Sequence, residues 1–212
     1  MKLCSYVVVY DKGFAPNPFW GFCTMAACTP NHQGLRLQRG DWLLGNSSAT
    51  NGHRLVYAMC ISEVLGFDEY YGDPRFAAKR ARDENWQQRC GDNIYFRDEA
   101  GRWKQGVAFH HTDARNVEKD TRHPRVFVSD HFFYFGENAI VLPHEYASLI
   151  RTSQGCRCSH KAETVLAFVR WLEQTYPAGP HGQPRDREET TASLVRLNSP
   201  KGQLGRGGSS CR

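Results

Sequence analysis

The stretch Asp11-Lys12-Gly13-Phe14-Ala15-Pro16-Asn17-Pro18-Phe19-Trp20-Gly21 follows directly on an apolar run, Leu3 to Tyr10, that is typical of a buried strand. Its two glycines permit unusual backbone angles, and its two prolines stiffen the path of the chain. A base extruded from a nucleic acid is held by stacking on aromatic faces and by hydrogen bonds along its Watson–Crick edge. The loop offers both kinds of group: the rings of Phe14, Phe19 and Trp20, and the polar ends of Asp11 and Asn17. The alternative is that the aromatic rings only pack at the end of a core.

The chain has 212 residues, which fits one globular domain with an appendage better than two full domains. Hydrophobic residues make up 40% of it, enough for a substantial core. The formal net charge of +5 favours an anionic partner such as nucleic acid.

Eight cysteines are scattered without a compact spacing, and the first residues lack the features of a signal peptide. We therefore expect reduced thiols and a cytoplasmic protein without a disulfide framework. No segment approaches the roughly 20 apolar residues that cross a bilayer, so a membrane is not an expected partner.

Short apolar runs dominate the first two thirds of the chain and predict strands over 3–10, 22–28, 42–44, 55–64, 94–97, 102–104, 126–129 and 132–135. Two helices are predicted, a short one that starts at Asp73-Pro74 and a longer one, capped by Ser159, whose apolar stripe ends at Leu172. This pattern predicts an α+β protein, with a small β-barrel or curled sheet and flanking helices. We assign residues 1–177 to the domain and 178–212, rich in Gly, Pro, Ser and Arg, to a flexible basic tail.

No phosphate-loop or zinc-deaminase signature is present, and no catalytic residue is assigned. Two groups have metal-ligating side chains: Cys156, Cys158 and His160, with Cys23 and Cys28 as further thiols, and the pair His110-His111 with Asp113. The cysteine spacing departs from that of zinc sites, and neighbouring residues of a strand point to opposite faces. We therefore predict neither a metal nor a cofactor.

Further candidates for the base pocket come from two other aromatic segments, at Trp42, Asp130 and Tyr134. Basic residues could contact phosphates, and we assign that role to Arg36, Arg39 and Arg54.

Several motifs together resemble the bacterial and phage-associated family called nucleotide modification associated domain, second type. They include the loop from Asp11 to Gly21, Gly40-Asp41-Trp42, Asp73-Pro74-Arg75-Phe76, Gly91-Asp92-Asn93-Ile94-Tyr95 and Ser129-Asp130 with Tyr134-Phe135-Gly136. More distantly, the segment from Arg39 to Val64 resembles the EVE branch of PUA-like barrels. The resemblance implies a PUA-like barrel and a role around modified nucleic acid.

The expected function is binding of a modified or flipped base, with modified DNA favoured over RNA, beside a partner modification or restriction enzyme. One alternative is an enzyme that modifies nucleotides or cleaves modified DNA, with acid, base or nucleophile drawn from Asp11, Cys28, Asp130 and His131. The other is a protein-interaction module with a plugged pocket.

Overall fold

The computed structural model describes residues 1–27, 34–111 and 114–187. Ten strands form three sheets: β1 (Leu3–Val8), β2 (Cys23–Met25), β3 (Trp42–Ser47), β4 (Leu55–Cys60), β5 (Glu63–Gly66), β6 (Tyr95–Arg97), β7 (Trp103–Gln105), β8 (Arg125–Ser129), β9 (His131–Tyr134) and β10 (Gly179–Pro180). The main sheet has the order β1-β3-β4-β9-β10, the second β2-β8-β5, and the third is the hairpin β6-β7. Four helices accompany them: α1 (Phe67–Gly72), α2 (Trp86–Arg89), α3 (Ala114–Thr121) and α4 (Ala162–Thr175).

Two chain segments pass from one sheet into the other. The predicted strand over 55–64 is divided at Ile61 and Ser62 into β4 and β5, and Asp130 separates β8 from β9. Because β4 pairs with β9 and β5 pairs with β8, the two sheets curl around a shared core. The α+β class is confirmed. Among the strands of the described residues, β1 has β3 and β2 has β8 as its one strand partner, and their other edges make only isolated bridges to Arg157 and Asn17, so the sheets do not close into a barrel.

Helix α4 covers the other face of the main sheet. Its buried residues, Val165, Phe168, Val169 and Leu172, recur at the helical period and pack against strand residues such as Trp42 and Phe133. Of the predicted stripe, Val165, Val169 and Leu172 are buried, whereas Ala162 and Leu166 are exposed and Phe168 is buried instead. The helix begins at Ala162 with Lys161 at its N-cap and not at Ser159. The second predicted helix is a 3-10 helix, Pro74–Lys79, whose N-cap Asp73 accepts a hydrogen bond from the Arg75 backbone N–H.

Residues 179–187, which we call the C-terminal strap, pack on the domain. Strand β10 pairs in parallel with β9, and the His181 backbone N–H donates to the Tyr134 carbonyl at 2.7 Å. The predicted boundary of the tail at residue 178 is therefore wrong for the strap. Its backbone bonds stabilise it although its sequence is rich in Gly and Pro. Residues 188–212 lie outside the described residues.

The expectation of reduced thiols is wrong for one pair of cysteines. Cys4 and Cys158 form a disulfide that joins β1 to the segment before α4. Sequence separation of 154 residues hides this pairing from any local spacing rule. Among the helices of the described ranges, none has the length and apolar character needed to span a membrane.

Candidate functional site

The loop from Asp11 to Gly21 leaves β1 with a defined backbone. Gly13, Trp20 and Gly21 all have positive φ angles, of 75°, 57° and 82°. The value at Trp20 is notable because non-glycine residues rarely adopt the left-handed region, and such residues are common at ligand-binding sites. Backbone hydrogen bonds in both directions between Asn17 and Thr24, of 2.9 and 3.0 Å, close the loop onto β2.

Asn17 holds the loop from inside. It is fully buried; its Nδ2 donates to the Cys90 carbonyl at 2.8 Å, and its Oδ1 accepts from Lys79 Nζ at 2.7 Å. Its amide is therefore occupied by protein partners. The predicted base-edge contact by Asn17 is wrong, and its role is to position the loop.

Lys79 is the centre of a buried polar cluster. Its Nζ donates to three acceptors: Asn17 Oδ1, the Asn17 carbonyl at 3.0 Å and the Phe22 carbonyl at 3.0 Å. The nearby carboxylate of Asp92 accepts from Thr24 at 2.6 Å and from Tyr70 at 2.7 Å. Burial lowers the pKa of Lys79 to about 8, against the opposing charge of Asp92, and burial also raises the pKa of Asp92.

Asp11 connects the loop to the strap. Its carboxylate is buried and accepts from the Tyr134 hydroxyl at 2.6 Å and from the Arg185 backbone N–H at 3.3 Å. Its own backbone N–H donates to Asp186 at 2.8 Å. Burial raises the pKa of Asp11, partly offset by these hydrogen bonds. Asp11 and Tyr134 thus anchor the strap, and the predicted contact of either with a base edge is wrong.

A cleft of about 250 Å³ opens where the loop, α2, β9 and the strap meet. We call it the aromatic cleft; it is lined by Pro18, Phe19, Trp20, Gly21, Trp86, Gln87, Phe132, Pro180, Gly182 and Gln183. Phe19 packs edge-on against Trp20 and Trp86, with ring centroids 5.4 and 5.7 Å apart. Both indoles are half-buried, so the cleft offers partly exposed π-faces, and Gln87 and Gln183 also line it.

The buried cluster and the aromatic cleft are adjacent. Lys79 Nζ lies 5.6 Å from the centroid of the Trp20 ring, within the range of a cation–π interaction. The cluster therefore fixes the wall of the cleft that the loop provides. Of the five loop residues nominated from the sequence, Phe19 and Trp20 line the cleft.

The remaining pocket candidates lie elsewhere. Phe14 is buried against His110 and His111, with ring centroids 5.3 and 4.8 Å away. Trp42 is 2% exposed and stacks on Phe133 in the core, so its assignment to the pocket is wrong. Asp130 is exposed at the bend between β8 and β9, where its backbone N–H donates to Ser62. Trp42 and Phe133 point to the buried face of the main sheet because of their register in β3 and β9.

Two of the three nominated arginines lie together. Arg36 and Arg39 line an open groove of about 620 Å³ that also includes Arg125, and we call it the basic groove. Arg54 precedes β4, whereas the backbone next to Arg39 bonds Ile61 beyond the other end of β4. A six-residue strand spans roughly 20 Å, so Arg54 does not belong to the groove.

The catalytic and metal candidates are not gathered in the aromatic cleft. His131 pairs with Glu173 at 2.9 Å, and Cys158 is in the disulfide, which leaves it unable to bind zinc. Cys28 and Asp113 lie outside the described residues. In the part of the chain that is described, no group of three or more His, Cys, Asp or Glu side chains could hold a metal ion.

A histidine–carboxylate pair is present near the loop. His111 Nδ1 lies 2.7 Å from the buried carboxylate of Asp120, which also accepts from the Tyr95 hydroxyl at 2.8 Å. Sequence analysis nominated His111 but paired it with Asp113 and not with Asp120.

Sequence analysis also missed Trp86, Gln87 and Gln183 in the cleft and Arg125 in the groove. One local signal pointed to Trp86, which is the only aromatic residue in the polar segment from Arg80 to Arg89. The strap residues gave no such signal, because their position depends on contacts with β9 and Asp11.

A family model described as "Nucleotide modification associated domain 2" matches residues 1–191. No curated protein and no solved structure gives a significant match to this chain. The family match covers all of the described residues, including the loop, the aromatic cleft and the strap.

Proposed function

The chain belongs to the nucleotide modification associated domain 2 family, and we propose that it binds a modified or flipped base of a nucleic acid in the aromatic cleft. The single observation that carries this proposal is the composition of the cleft. Phe19, Trp20 and Trp86 line a space of about 250 Å³ that is also lined by Gln87 and Gln183. Aromatic faces stack on any base, and amides pair with the donor and acceptor groups of its edge.

The edge-reading role passes from Asp11 and Asn17 to Gln87 and Gln183. An amide carries both a donor and an acceptor, so it can pair with either kind of group on a base. A change at the base edge, such as an added or altered exocyclic group, is then sensed by these amides, whereas stacking supplies affinity that is independent of the edge.

The basic groove would contact phosphates of the same strand. Arg125 of the groove and Phe132 of the cleft are seven residues apart, which limits their separation to about 25 Å along the chain. Such a span matches a few nucleotides. Phosphate contacts raise the affinity for all sequences and are weakened by salt.

The test is binding of fluorescent single- and double-stranded oligonucleotides, DNA and RNA, that carry unmodified or modified bases. We expect Trp86→Ala and Trp20→Ala each to weaken binding of every oligonucleotide by about 1 to 3 kcal/mol, because stacking tolerates any base. Gln87→Ala should instead reduce the preference for the best modified base. Trp103→Ala is the matched control, since Trp103 is a half-buried indole of β7 that does not line the cleft.

Circular dichroism and thermal unfolding must show that each variant is folded. If folded Trp86→Ala and Gln87→Ala proteins bind all oligonucleotides with the affinity of the parent, the cleft is not the base site. Failure of the parent to prefer any modified base would remove the base-reading role.

An enzyme that acts on the bound nucleotide is the second candidate, favoured by the pair of His111 and Asp120. A carboxylate bonded to an imidazole fixes the tautomer and orientation of the ring, an arrangement that general bases use. Mass analysis of oligonucleotides after incubation tests this function. A product made by the parent and lost in His111→Gln, with binding retained, would support catalysis, and the absence of any product would leave binding alone.

A further inference from the structure

A second cavity, of about 400 Å³, is lined by Tyr71, Arg80, Arg82, Asn93 and Gly106, with alanine and valine completing its wall. It shares no lining residue with the aromatic cleft. Among the residues that the structure describes, no acidic one lines it, whereas Arg80 and Arg82 do. Its electrostatic character therefore favours an anionic ligand.

Asn93 places an acceptor without a partner at this cavity. The residue is 2% exposed, and its Nδ2 donates to the carbonyls of Tyr70 at 3.0 Å and Phe76 at 3.2 Å. Because both partners are acceptors, the amide cannot be turned around. Its Oδ1 is buried and has no hydrogen-bond partner among the described residues. A buried acceptor of this kind is unfavourable unless a ligand or water satisfies it.

Arg80 supplies a matching donor. One of its terminal nitrogens donates to the Tyr71 carbonyl, whereas its Nε is buried and has no partner in the described part of the chain. The guanidinium lies 4.3 Å from the centroid of the Tyr71 ring, and Phe96 stacks on that ring at 4.5 Å. Two groups this close cannot share one ring face. The guanidinium is thus the outermost plane of a three-layer stack.

Arg82 provides a more exposed charge. Its Nε donates to Gln88 at 3.3 Å and lies 3.6 Å from Glu84, so it is held loosely at the surface. Arg82 supplies a positive charge at the rim of the cavity. Inside it, Arg80 supplies a planar cation and a hydrogen-bond donor, and Asn93 supplies an acceptor. These groups suit a ligand that combines an anionic group with a planar polar ring. Every nucleobase has an N–H next to an acceptor on its Watson–Crick edge, which matches the unpartnered acceptor of Asn93 and the unpartnered donor of Arg80.

We propose that this cavity binds one nucleotide unit as a 5′-mononucleotide. The base lies edge-on to the Arg80 guanidinium: its N–H donates to Asn93 Oδ1, its acceptor receives Arg80 Nε–H, and its phosphate meets Arg82. Both inner atoms are shielded from bulk water, so the half-buried Arg80 side chain shifts when the ligand enters. This site does not depend on the proposed function of the aromatic cleft.

The test replaces a glycine at the cavity by a larger residue, whose side chain occupies the space of the ligand. A Cβ at Gly106 would meet only the Ile94 carbonyl oxygen at 3.7 Å and a Phe96 ring carbon at 3.9 Å, both ordinary contacts, and Gly106 has no positive φ. Gly106→Leu therefore puts a side chain at the cavity without backbone strain. Gly72→Leu is the control, because a Cβ at Gly72 meets nothing within 4 Å and the position lies outside the cavity.

Calorimetric titration with deoxyadenosine 5′-monophosphate and with inorganic phosphate measures the affinity. We expect the parent to bind the mononucleotide. Gly106→Leu and Arg80→Met should each weaken the affinity for the mononucleotide about tenfold or more, and Gly72→Leu should change this affinity less than about twofold. Inorganic phosphate should bind about tenfold more weakly than the mononucleotide, because it lacks the base. Thermal unfolding confirms that the variants are folded, and Arg80→Met serves as the second variant if Gly106→Leu is not.

No mononucleotide binding by the parent would overturn the proposal, as would equal affinity in the parent and in folded Gly106→Leu and Arg80→Met. Phosphate binding as tight as mononucleotide binding would contradict the base contacts. Trp86→Ala separates the two sites. A mononucleotide affinity that falls in Trp86→Ala but not in Gly106→Leu or Arg80→Met would place the mononucleotide in the aromatic cleft and overturn the proposal.

Discussion

Replacement of Lys79 by methionine should destabilise the protein strongly. Lys79 is 1% exposed and donates to three buried acceptors, and the buried carboxylate of Asp92 depends on its charge. Methionine has a similar volume but no donor, so Asp92 is left as an unbalanced buried charge. Removing one partner of such a pair costs about 3 to 5 kcal/mol in the free energy of unfolding. In a chain of this size the Tm should fall by roughly 6 to 20 °C.

The pH dependence of the folding stability tests the role of Lys79 independently. Burial lowers the pKa of Lys79 from its ordinary 10.5 to about 8. Between these two pKa values the unfolded chain binds a proton that the folded chain lacks, so the stability of the parent rises with pH across this window. The gain is at most about 3 kcal/mol. Lys79→Met lacks this contribution, and the difference in stability between parent and variant should grow as the pH rises from about 8 towards 10.

Urea unfolding followed by tryptophan fluorescence measures both effects, with the exposed Lys119→Met as control. A double-mutant cycle with Asp92→Asn adds the coupling between the two residues. Asp92→Asn should cost less in the Lys79→Met background than in the parent, because in the parent it leaves Lys79 as an unpaired charge, whereas in the variant it removes the unpaired charge of Asp92. If Lys79→Met costs no more than Lys119→Met at any pH, the polar cluster does not hold the loop as argued.

Three further predictions concern the strap, the disulfide and the basic groove. Deletion of residues 188–212 should leave the Tm nearly unchanged, since that sequence lacks periodic apolar residues. Deletion of residues 179–212 should lower the Tm by several degrees, because Asp11 loses its hydrogen-bond partners in the strap. Equal effects of the two deletions on the Tm would contradict the docked strap. Reduction of the disulfide, or Cys158→Ala, should lower the free energy of unfolding by about 2 to 5 kcal/mol, because the bridge closes a long loop. Mass spectrometry of the unreduced protein should find Cys4 and Cys158 in one linked peptide. Free thiols at both positions would contradict the pairing. Glutamine in place of each arginine of the basic groove should weaken all oligonucleotides alike and reduce the salt dependence of log Kd by about one unit per phosphate contact, whereas an unchanged salt slope would exclude the groove from phosphate binding.

Local sequence patterns determined most of the regular structure. The strands predicted over 3–10, 126–129 and 132–135 are found as β1, β8 and β9, and Val165, Val169 and Leu172 of the predicted α4 stripe are buried, because side-chain period decides which face of a strand or helix is buried. The family could also be predicted from the sequence, because the motifs that define the resemblance, in the loop and around Trp42, are contiguous stretches of residues. The ends of elements were less accurate, and the division of 55–64 into β4 and β5 follows from pairing with β8 and β9.

Only the tertiary structure decided which groups of the loop face the aromatic cleft. A carboxylate or an amide looks the same in a sequence whether it is exposed or satisfied inside the protein. Asn17 is occupied by Lys79, 62 residues away, and Asp11 by Tyr134, 123 residues away. The sequence therefore determined that a rigid, aromatic loop follows β1. Contacts between distant segments turned its polar side chains inward and left Phe19 and Trp20 at the cleft, because buried polar groups must find partners wherever the fold provides them.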